Sequence, residues 1–495
     1  MRFTRQSGVF LHHTSVPGPH GIGDLGNGSR QFVDFLEQAG QSLWQCCPLG
    51  PTATVHGHSP YQAYSAFAGN PLLIDLHGLA EDGLLTEDDL EAPDSFSPHE
   101  VHYEAVSAFK TERLERAAER FETDASADDR DAFEAFCERE AGWLPDYALF
   151  MALKDEFDGA WTDWPQELKA READALESYR EELAAEVRYH ELTQWWFDRQ
   201  WRALQAYASE RGVQLVGDLP IYVAADSADV WAAPEAFQLT DDNEPAAVAG
   251  VPPNPGDDGQ RWGNPVYDWE QLQANGYEWW IARLRRLFDL VDITRIDHFK
   301  GFDEYYAIPA HSDNPADGQW HDAPGYDFFE TVEAELGELP FVVEDLGFLD
   351  HSLISLRDHF DFPGMRVPHY ADWCAEGNEH QPMHYPENVI GYTSTHDTDT
   401  AVGYYRDLPD HQRDCLHFNL GADGSDIHWE LIEGVWNANA VLAVTTMPDV
   451  LGLGSEARFN TPGTAHGNWG WRVTEDGLDD DIAGKLRGLT AATMR

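Results

Sequence analysis

A chain of 495 residues with 42% hydrophobic and 12% aromatic content can bury a large core, and 18 Trp, 18 Tyr and 25 Phe exclude the disorder that its acidity alone would suggest. Its 89 acidic residues against 32 basic ones leave a formal net charge of −57, which excludes nucleic acid and anionic membranes as partners by simple repulsion. Only five of the basic residues are lysine, and such a surface suits a protein that stays hydrated while concentrated salt screens its self-repulsion. The composition therefore predicts a cytosolic protein of a salt-accumulating cell.

Met1 to Val16 has no sustained apolar segment, and no stretch approaches the roughly 18 apolar residues of a membrane span, so a soluble, non-exported chain is expected. The five cysteines, Cys46, Cys47, Cys137, Cys374 and Cys415, are odd in number and form no C-x-x-C pair. They predict neither a disulfide framework nor a zinc ribbon, and hence a reducing compartment.

In chain order, Gly8 to Leu11 reads as a strand, Ser29 to Ala39 as a helix with apolar spacing at Phe32, Phe35 and Leu36, and Leu43 to Cys47 as a strand. From about residue 75 to 207 the pattern changes to acidic amphipathic helices, for example Val106, Phe109, Leu114, Ala117 and Phe121, which reads as an insertion. Strand-like runs return at Val213 to Leu219, Val291 to Ile296, Phe341 to Glu344, Gly364 to Val367, Val389 to Tyr392 and Val441 to Thr445. Eight strands alternating with helices predict an α/β chain closed as a (β/α)₈ TIM barrel. The expected organisation is one catalytic unit over 1–495, a helical insertion over 75–207 after the second strand, and loop subdomains at the C-terminal face that include a substrate lid over 224–275.

Active sites of such barrels lie where the strands end, so the polar residues following each apolar run carry the functional signal. Asp218 ends the third strand, Arg295-Ile296-Asp297-His298 the fourth, Glu344-Asp345 the fifth, and Thr395-His396-Asp397 follows the seventh. Glycosidic bond cleavage needs two carboxyl groups, one to attack or activate and one to protonate the leaving oxygen, and a third can stabilise the cationic ring. Arg295 lies two residues from Asp297 on the same strand face, a cation that favours the charged carboxylate. Single acids after strands often serve as helix caps; four with an arginine and two histidines are harder to explain that way.

A longer ordered set of motifs resembles the 4-α-glucanotransferase (amylomaltase) family. It comprises Ser7-Gly8-Val9 with Gly21 to Gly26, Ser59-Pro60-Tyr61-Gln62 with Ser65 to Pro71, Gly217 to Val223, Gly259 to Pro265, Arg295 to Phe299, Glu344 to Gly347, Thr395-His396-Asp397, and Glu456 to Asn460 with Pro462-Gly463-Thr464. The resemblance implies Asp297 as nucleophile, Glu344 as general acid/base and Asp397 as stabiliser, with retention of configuration and carboxyls about 5–5.5 Å apart. It also implies that Ser59, Tyr61, Asp218, Gln260, Trp262, Arg295, His298, His396 and Asn460 bind sugar. The implied substrates are α-1,4-glucan donors and glucose or maltooligosaccharide acceptors, with no cofactor and no metal. Consistent with that, the histidines lack ligand spacing and the Gly21 to Gly26 loop has no basic residue to hold phosphate. Asp303 and Glu304 read as solvated or structural acids.

Departures from the family pattern cluster on the acceptor side. Asn254-Pro255-Gly256-Asp257-Asp258 replaces an acidic residue followed by aromatics, His58 stands where an acid is common, and Pro368-His369-Tyr370 replaces an apolar run with phenylalanine. An apolar lid excludes water, so its loss predicts a higher ratio of hydrolysis to transfer than in relatives with an aromatic lid. Two other readings compete with a transferase: an α-glucan hydrolase with the same carboxyls, and an inactive glucan-binding protein. The charge itself yields a prediction, because screening shortens from about 10 Å at 0.1 M salt to about 3 Å at 1 M. The thermal midpoint should fall as potassium chloride is diluted from molar concentrations; a midpoint that holds level or rises would refute salt adaptation.

Overall fold

Eight short runs rich in β-branched and apolar residues close into one parallel barrel in sequence order: β1 (Gln6–Phe10), β2 (Leu43–Gln45), β3 (Gln214–Pro220), β4 (Ile293–Asp297), β5 (Phe341–Val343), β6 (Gly364–Arg366), β7 (Val389–Tyr392) and β8 (Leu442–Thr446). The computed structural model describes residues 3–157, 159–254, 258–347, 350–464 and 466–495. Closure pairs Gln6 with Leu442 through Phe10 with Thr446. Gly8 is required where β1 crosses β2, since a Cβ there would lie 2.3 Å from the Leu43 carbonyl oxygen. The register of β3 on β4 sets Asp218 beside Arg295 and Pro220 beside Asp297, which fixes the floor of the site.

Between β2 and β3 the chain runs through helices that include Tyr103–Asp124, Ala127–Arg139, Leu144–Glu156 and Ala184–Glu210. The first buries Val106, Phe109, Leu114, Ala117, Ala118 and Phe121 along one face. The last returns the chain to β3 and buries Trp195, Trp196, Phe197, Trp201 and Leu204 in the core shared with the barrel. Trp201 also donates its indole N–H to the Leu290 carbonyl (2.8 Å), so a large apolar side chain is buried without orphaning its polar atom.

A second, antiparallel sheet follows β3 and β4, in the order Gln260–Pro265, Ala247–Val251, Glu304–Pro309, Gln319–Asp322. It carries Gln260 and Trp262. Of the altered lid segment, Pro255, Gly256 and Asp257 lie outside the described residues.

One expectation is corrected. Cys374 and Cys415 form a disulfide, although no disulfide was expected from the sequence. The two residues are separated by 41 positions, and only the packing of helix Asp410–Leu420 over the segment after β6 brings them together. Cys46, Cys47 and Cys137 are free. Asp303 and Glu304 converge with Asp350 closely enough to suggest a cation site, but the Lys300 ammonium sits among them at 3.3, 2.8 and 2.8 Å. That ammonium supplies the positive charge which three crowded carboxylates need, and Asp350 also caps helix His351–His359 through the Leu353 N–H.

Asp198 joins three helices in the interior. Buried at 5% side-chain exposure, it accepts from Arg286 (2.9 Å, itself 4% exposed), Arg139 (2.8 Å) and Arg202 (2.8 Å). Burial opposes its ionisation, but the arginines outweigh it and hold the carboxyl below its ordinary range. Asp198→Ala takes the nearest carboxylate from buried Arg286, leaving Glu140 at 3.8 Å and the Phe67 carbonyl, and should cost about 3 kcal/mol, whereas Asp198→Leu with Arg286→Met should cost much less. Urea unfolding at constant slope measures both; a single variant no worse than the double would remove this strut from the account.

Candidate active site

The site is built on the C-terminal ends of β3, β4, β5 and β7. Arg295, on β4 and 4% exposed, places Nη1 against both oxygens of Asp218 (2.8 and 2.6 Å) and donates from Nη2 to Asp297 Oδ1 (2.7 Å). Asp218 is sealed at 0% exposure, while Asp297 opens to 28%. Asp218 also accepts from the Tyr61 hydroxyl (2.9 Å). In this arrangement its oxygens hold Arg295 and Tyr61, so it acts on the site through them.

The network continues across the barrel. The Tyr61 oxygen lies 3.4 Å from His396 Nδ1, and His396 Nε2 lies 3.1 Å from Asp397 Oδ2. Tyr61 gives its proton to Asp218, so its oxygen can accept from a protonated Nδ1, and Asp397 can accept from a protonated Nε2. Burial lowers the His396 pKa, yet Asp397 outweighs it and the pKa is raised. Asp397 receives the reciprocal effect: burial opposes its charge, but His396 and the Asn460 amide (2.6 Å to Oδ1) hold its carboxyl far below the usual range. Its side chain remains 41% exposed, so a charged acceptor faces the pocket.

Glu344 has the opposite setting. Burial first and the charge of Asp297 second push its pKa up to about 7. Its two oxygens accept from the backbone N–H groups of His298 (2.9 Å to Oε2) and Leu346 (2.9 Å to Oε1), which fixes the plane of the carboxyl. The His298 donor is aimed by a left-handed backbone, φ 55°, an uncommon conformation for a residue with a side chain. Asp345, next in sequence, turns away from the pocket: it is buried and accepts from Arg357 (2.5 Å) and the Met365 N–H (2.7 Å). Gly364 makes room for it, as a Cβ there would lie 2.3 Å from Asp345 Oδ2.

Trp262 meets the His298 ring edge-on at 4.8 Å and donates its indole N–H to Gln260 Oε1 (2.9 Å), so these three residues form one wall. His298 Nε2 is buried and has no protein partner. Burial lowers its pKa to about 4, leaving a neutral ring with a polar atom unspent. The Ser59 hydroxyl accepts from the Tyr61 N–H (3.3 Å) and shapes the loop that carries Tyr61. His58, in left-handed conformation, stacks on Tyr103 at 4.3 Å and bonds Thr52 and Thr54, a structural use of that departure.

Two residues escaped the sequence reading. Arg458 donates to the backbone carbonyls of Asp397 (2.6 Å) and Asn460 (2.6 Å), tying the two segments together. Its position two residues before Asn460 in the quoted Glu456 to Asn460 motif was the available signal. Tyr370 appeared only as a departure. It is 51% exposed just after β6, close enough to Glu344 and Asp397 that their charges favour its neutral hydroxyl.

Comparison with known proteins now meets this geometry. Residues 11–478 match the family model described as 4-alpha-glucanotransferase. The chain is 45% identical over 492 residues to a 4-alpha-glucanotransferase of Synechocystis, covering 98% of this chain and 97% of that relative. It is 45% identical over 505 residues to that of Thermus thermophilus, covering 100% of each. The solved amylomaltase of Streptococcus agalactiae in complex with acarbose superposes with a TM-score of 0.96 at 36% identity over 99% of both chains. A barrel with this carboxyl set, matched end to end at such identity, belongs to the 4-α-glucanotransferase family, the enzymes that transfer α-glucan segments.

Proposed function

We propose that this site moves α-1,4-glucan segments between maltodextrins by double displacement, with Asp297 as nucleophile, Glu344 as general acid/base and Asp397 holding the hydroxyls of the reacting sugar. The observation that carries the reading is the contrast between Glu344, whose pKa is raised to about 7, and Asp397, whose carboxyl is held far below the usual range, at a barrel end where Asp297 is paired with Arg295. Divergent settings for neighbouring carboxyls are what an acid and a fixed anion require.

Donor cleavage begins with protonated Glu344 giving its proton to the leaving 4-oxygen while the free oxygen of Asp297 attacks the anomeric carbon. The ester that forms removes the Asp297 charge, which is the second cause of the raised Glu344 pKa. Having given up its proton, and with its pKa lowered by the loss of that charge, Glu344 is a carboxylate that takes the proton of an incoming sugar hydroxyl. The acceptor displaces Asp297, and configuration is retained over the two steps. Hydrolysis is the competing fate of the same intermediate, with water as acceptor. Trp262, half-buried beside the His298 ring, offers an apolar face for a sugar, which supports transfer.

We also infer a cytosolic, salt-adapted setting from the net charge of −57. Among the described residues no helix is long and apolar enough to cross a membrane.

Incubation with maltotriose should yield glucose together with oligomers longer than the substrate; shortened products alone would assign the chain to hydrolysis. Asp297→Asn, Glu344→Gln and Asp397→Asn should each lower kcat by about 10³-fold or more with the fold retained. With an activated glucosyl donor, Glu344→Gln should accumulate a covalent sugar on Asp297 by intact mass, and an adduct elsewhere would overturn the assignment.

The pH profile follows from Glu344. Donor kcat/KM should decline above pH about 7 as the acid ionises, a limb that Glu344→Gln lacks. The sign for stability is the same: a carboxyl whose folded pKa is raised destabilises the fold as pH climbs from its unfolded value, near 4.5, through about 7. Glu344→Gln should therefore raise the melting temperature at pH 8 more than at pH 4.5, and an equal effect at both would contradict the assigned shift.

A further inference from the structure

The Cys374–Cys415 bond ties together two segments that each lead away from the site. Cys374 lies a few residues beyond Tyr370 after β6, and Cys415 lies in helix Asp410–Leu420, beyond Asp397 and helix Ala401–Asp407. Between them Trp373, Ala401, Val402, Leu416, Ile427 and Leu431 form an apolar cluster separate from the main core. The Cys374 residue is exposed and Cys415 half-buried, so the bond is open to reagents in solution.

The same segment is also held without the disulfide. The Trp373 N–H donates to Gln412 Oε1 (2.8 Å), Asn419 Nδ2 to the Trp373 carbonyl (2.6 Å), and the Trp373 indole N–H to the Tyr404 hydroxyl (2.8 Å). Tyr404 in turn donates to the Pro368 carbonyl (2.9 Å), two residues before Tyr370. On the other side the Val367 N–H donates to His380 Nδ1 (3.3 Å), whose ring lies 5.7 Å from that of Tyr370. Removing the S–S bond thus leaves a docked but looser segment, with Tyr370 at its start.

Exposed disulfides with a folded reduced form are the labile, regulatory kind, and disulfides that occur in reducing compartments are mostly of that kind. We propose that Cys374–Cys415 is a thiol–disulfide exchange site, opened by a dithiol reductant and re-formed by the corresponding disulfide, which sets how firmly the Tyr370 segment is held. One thiolate of the dithiol attacks the exposed Cys374 sulfur, the S–S bond breaks, and Cys415 leaves as a thiolate that takes up a proton. The second thiol of the reductant then attacks the mixed disulfide and releases Cys374 as a thiol. Two electrons and two protons pass to the protein, and the reductant departs as its own disulfide. The consequence for acceptor handling rests on the glucan-transfer reading above, whereas the exchange itself does not.

The test starts with full-length protein purified without reductant, alkylated in denaturant and digested. A linked Cys374–Cys415 peptide is expected. Titration of the native protein with dithiothreitol should release two thiols per chain, lower the melting temperature by a few degrees, and speed amide exchange over residues 368–381 about tenfold. With maltotriose as donor and glucose as acceptor, the acceptor KM should rise about threefold. Oxidised dithiothreitol should reverse each change. Cys374→Ser with Cys415→Ser should reproduce the reduced enzyme and ignore the reductant, and Cys374→Ala alone should do likewise if the double variant fails to fold. Absence of the linked peptide, or reduction that leaves exchange over 368–381 unchanged, would overturn the proposal. Intact thiol and exchange changes in a protein that transfers no glucan in either state would overturn the glucan reading and leave the exchange site standing.

Discussion

Arg295 is the cation on which the floor of the site rests. Two carboxylates at the ends of adjacent strands, Asp218 and Asp297, repel each other across a small gap in a poorly hydrated barrel end, and a single buried guanidinium answers both. Burial disfavours its charge, yet the two aspartates outweigh that and raise its pKa well above the usual value. A planar fork can meet one carboxylate with each terminal nitrogen, which a lysine ammonium cannot do in fixed geometry. The strand register that pairs Asp218 with Arg295 is therefore a chemical requirement as well as a folding one. Tyr61, anchored on Asp218, carries the same constraint over to His396 and Asp397.

Placed on one framework, the carboxyls differ because their immediate neighbours differ. Asp397 sits beside the His396 ring and an amide donor, which hold its carboxyl well below the usual range. Glu344 sits beside an anion in a half-buried position, and two backbone N–H groups hold it in place without supplying a full positive charge. The left-handed turn at His298 accomplishes three things at once: it ends β4 after Asp297, aims an N–H at Glu344, and sets an imidazole against Trp262. Substitution there would disturb all three, so a loss of activity would not by itself identify a sugar contact.

The barrel was legible because each strand is a short apolar run, and the acids gathered at its end were legible because Asp218, Asp297 and Glu344 sit at or directly after those runs and Asp397 lies in the loop beyond one. Strand ends shifted by a residue or two, as at β2, read to Cys47 but paired only to Gln45. What the sequence could not show was lateral pairing. Nothing in the order of residues says that Asp218 is sealed beneath Arg295 while Asp397 remains open, since that depends on register and on loops arriving from residues 61 and 460. The disulfide was hidden for a similar reason, its partners being separated by a strand and two helices. Of the antiparallel sheet beside the barrel, the two strands Ala247–Val251 and Gln260–Pro265 were read only as part of the insertion over 224–275, and Glu304–Pro309 and Gln319–Asp322 were not read as strands, because all are short and three of them start with the polar residues Gln260, Glu304 and Gln319.

The fate of the scarce basic residues has a further consequence. Lys110, Arg283, Arg286, Arg295, Lys300, Arg366 and Arg472 are all buried, and so are Asp24, Asp89, Glu140, Asp198, Asp218, Asp229, Asp303, Asp345 and Asp449, so the interior charges largely offset one another and the solvent-facing shell carries nearly all of the negative net charge. Such a shell exerts a strong field on ions, but a neutral polysaccharide carries no charge for that field to attract or repel. Encounter between enzyme and glucan is thus uncoupled from the ionic composition of the medium. The surface is free to answer to hydration and solubility while recognition is left to hydroxyl and aromatic contacts inside the pocket.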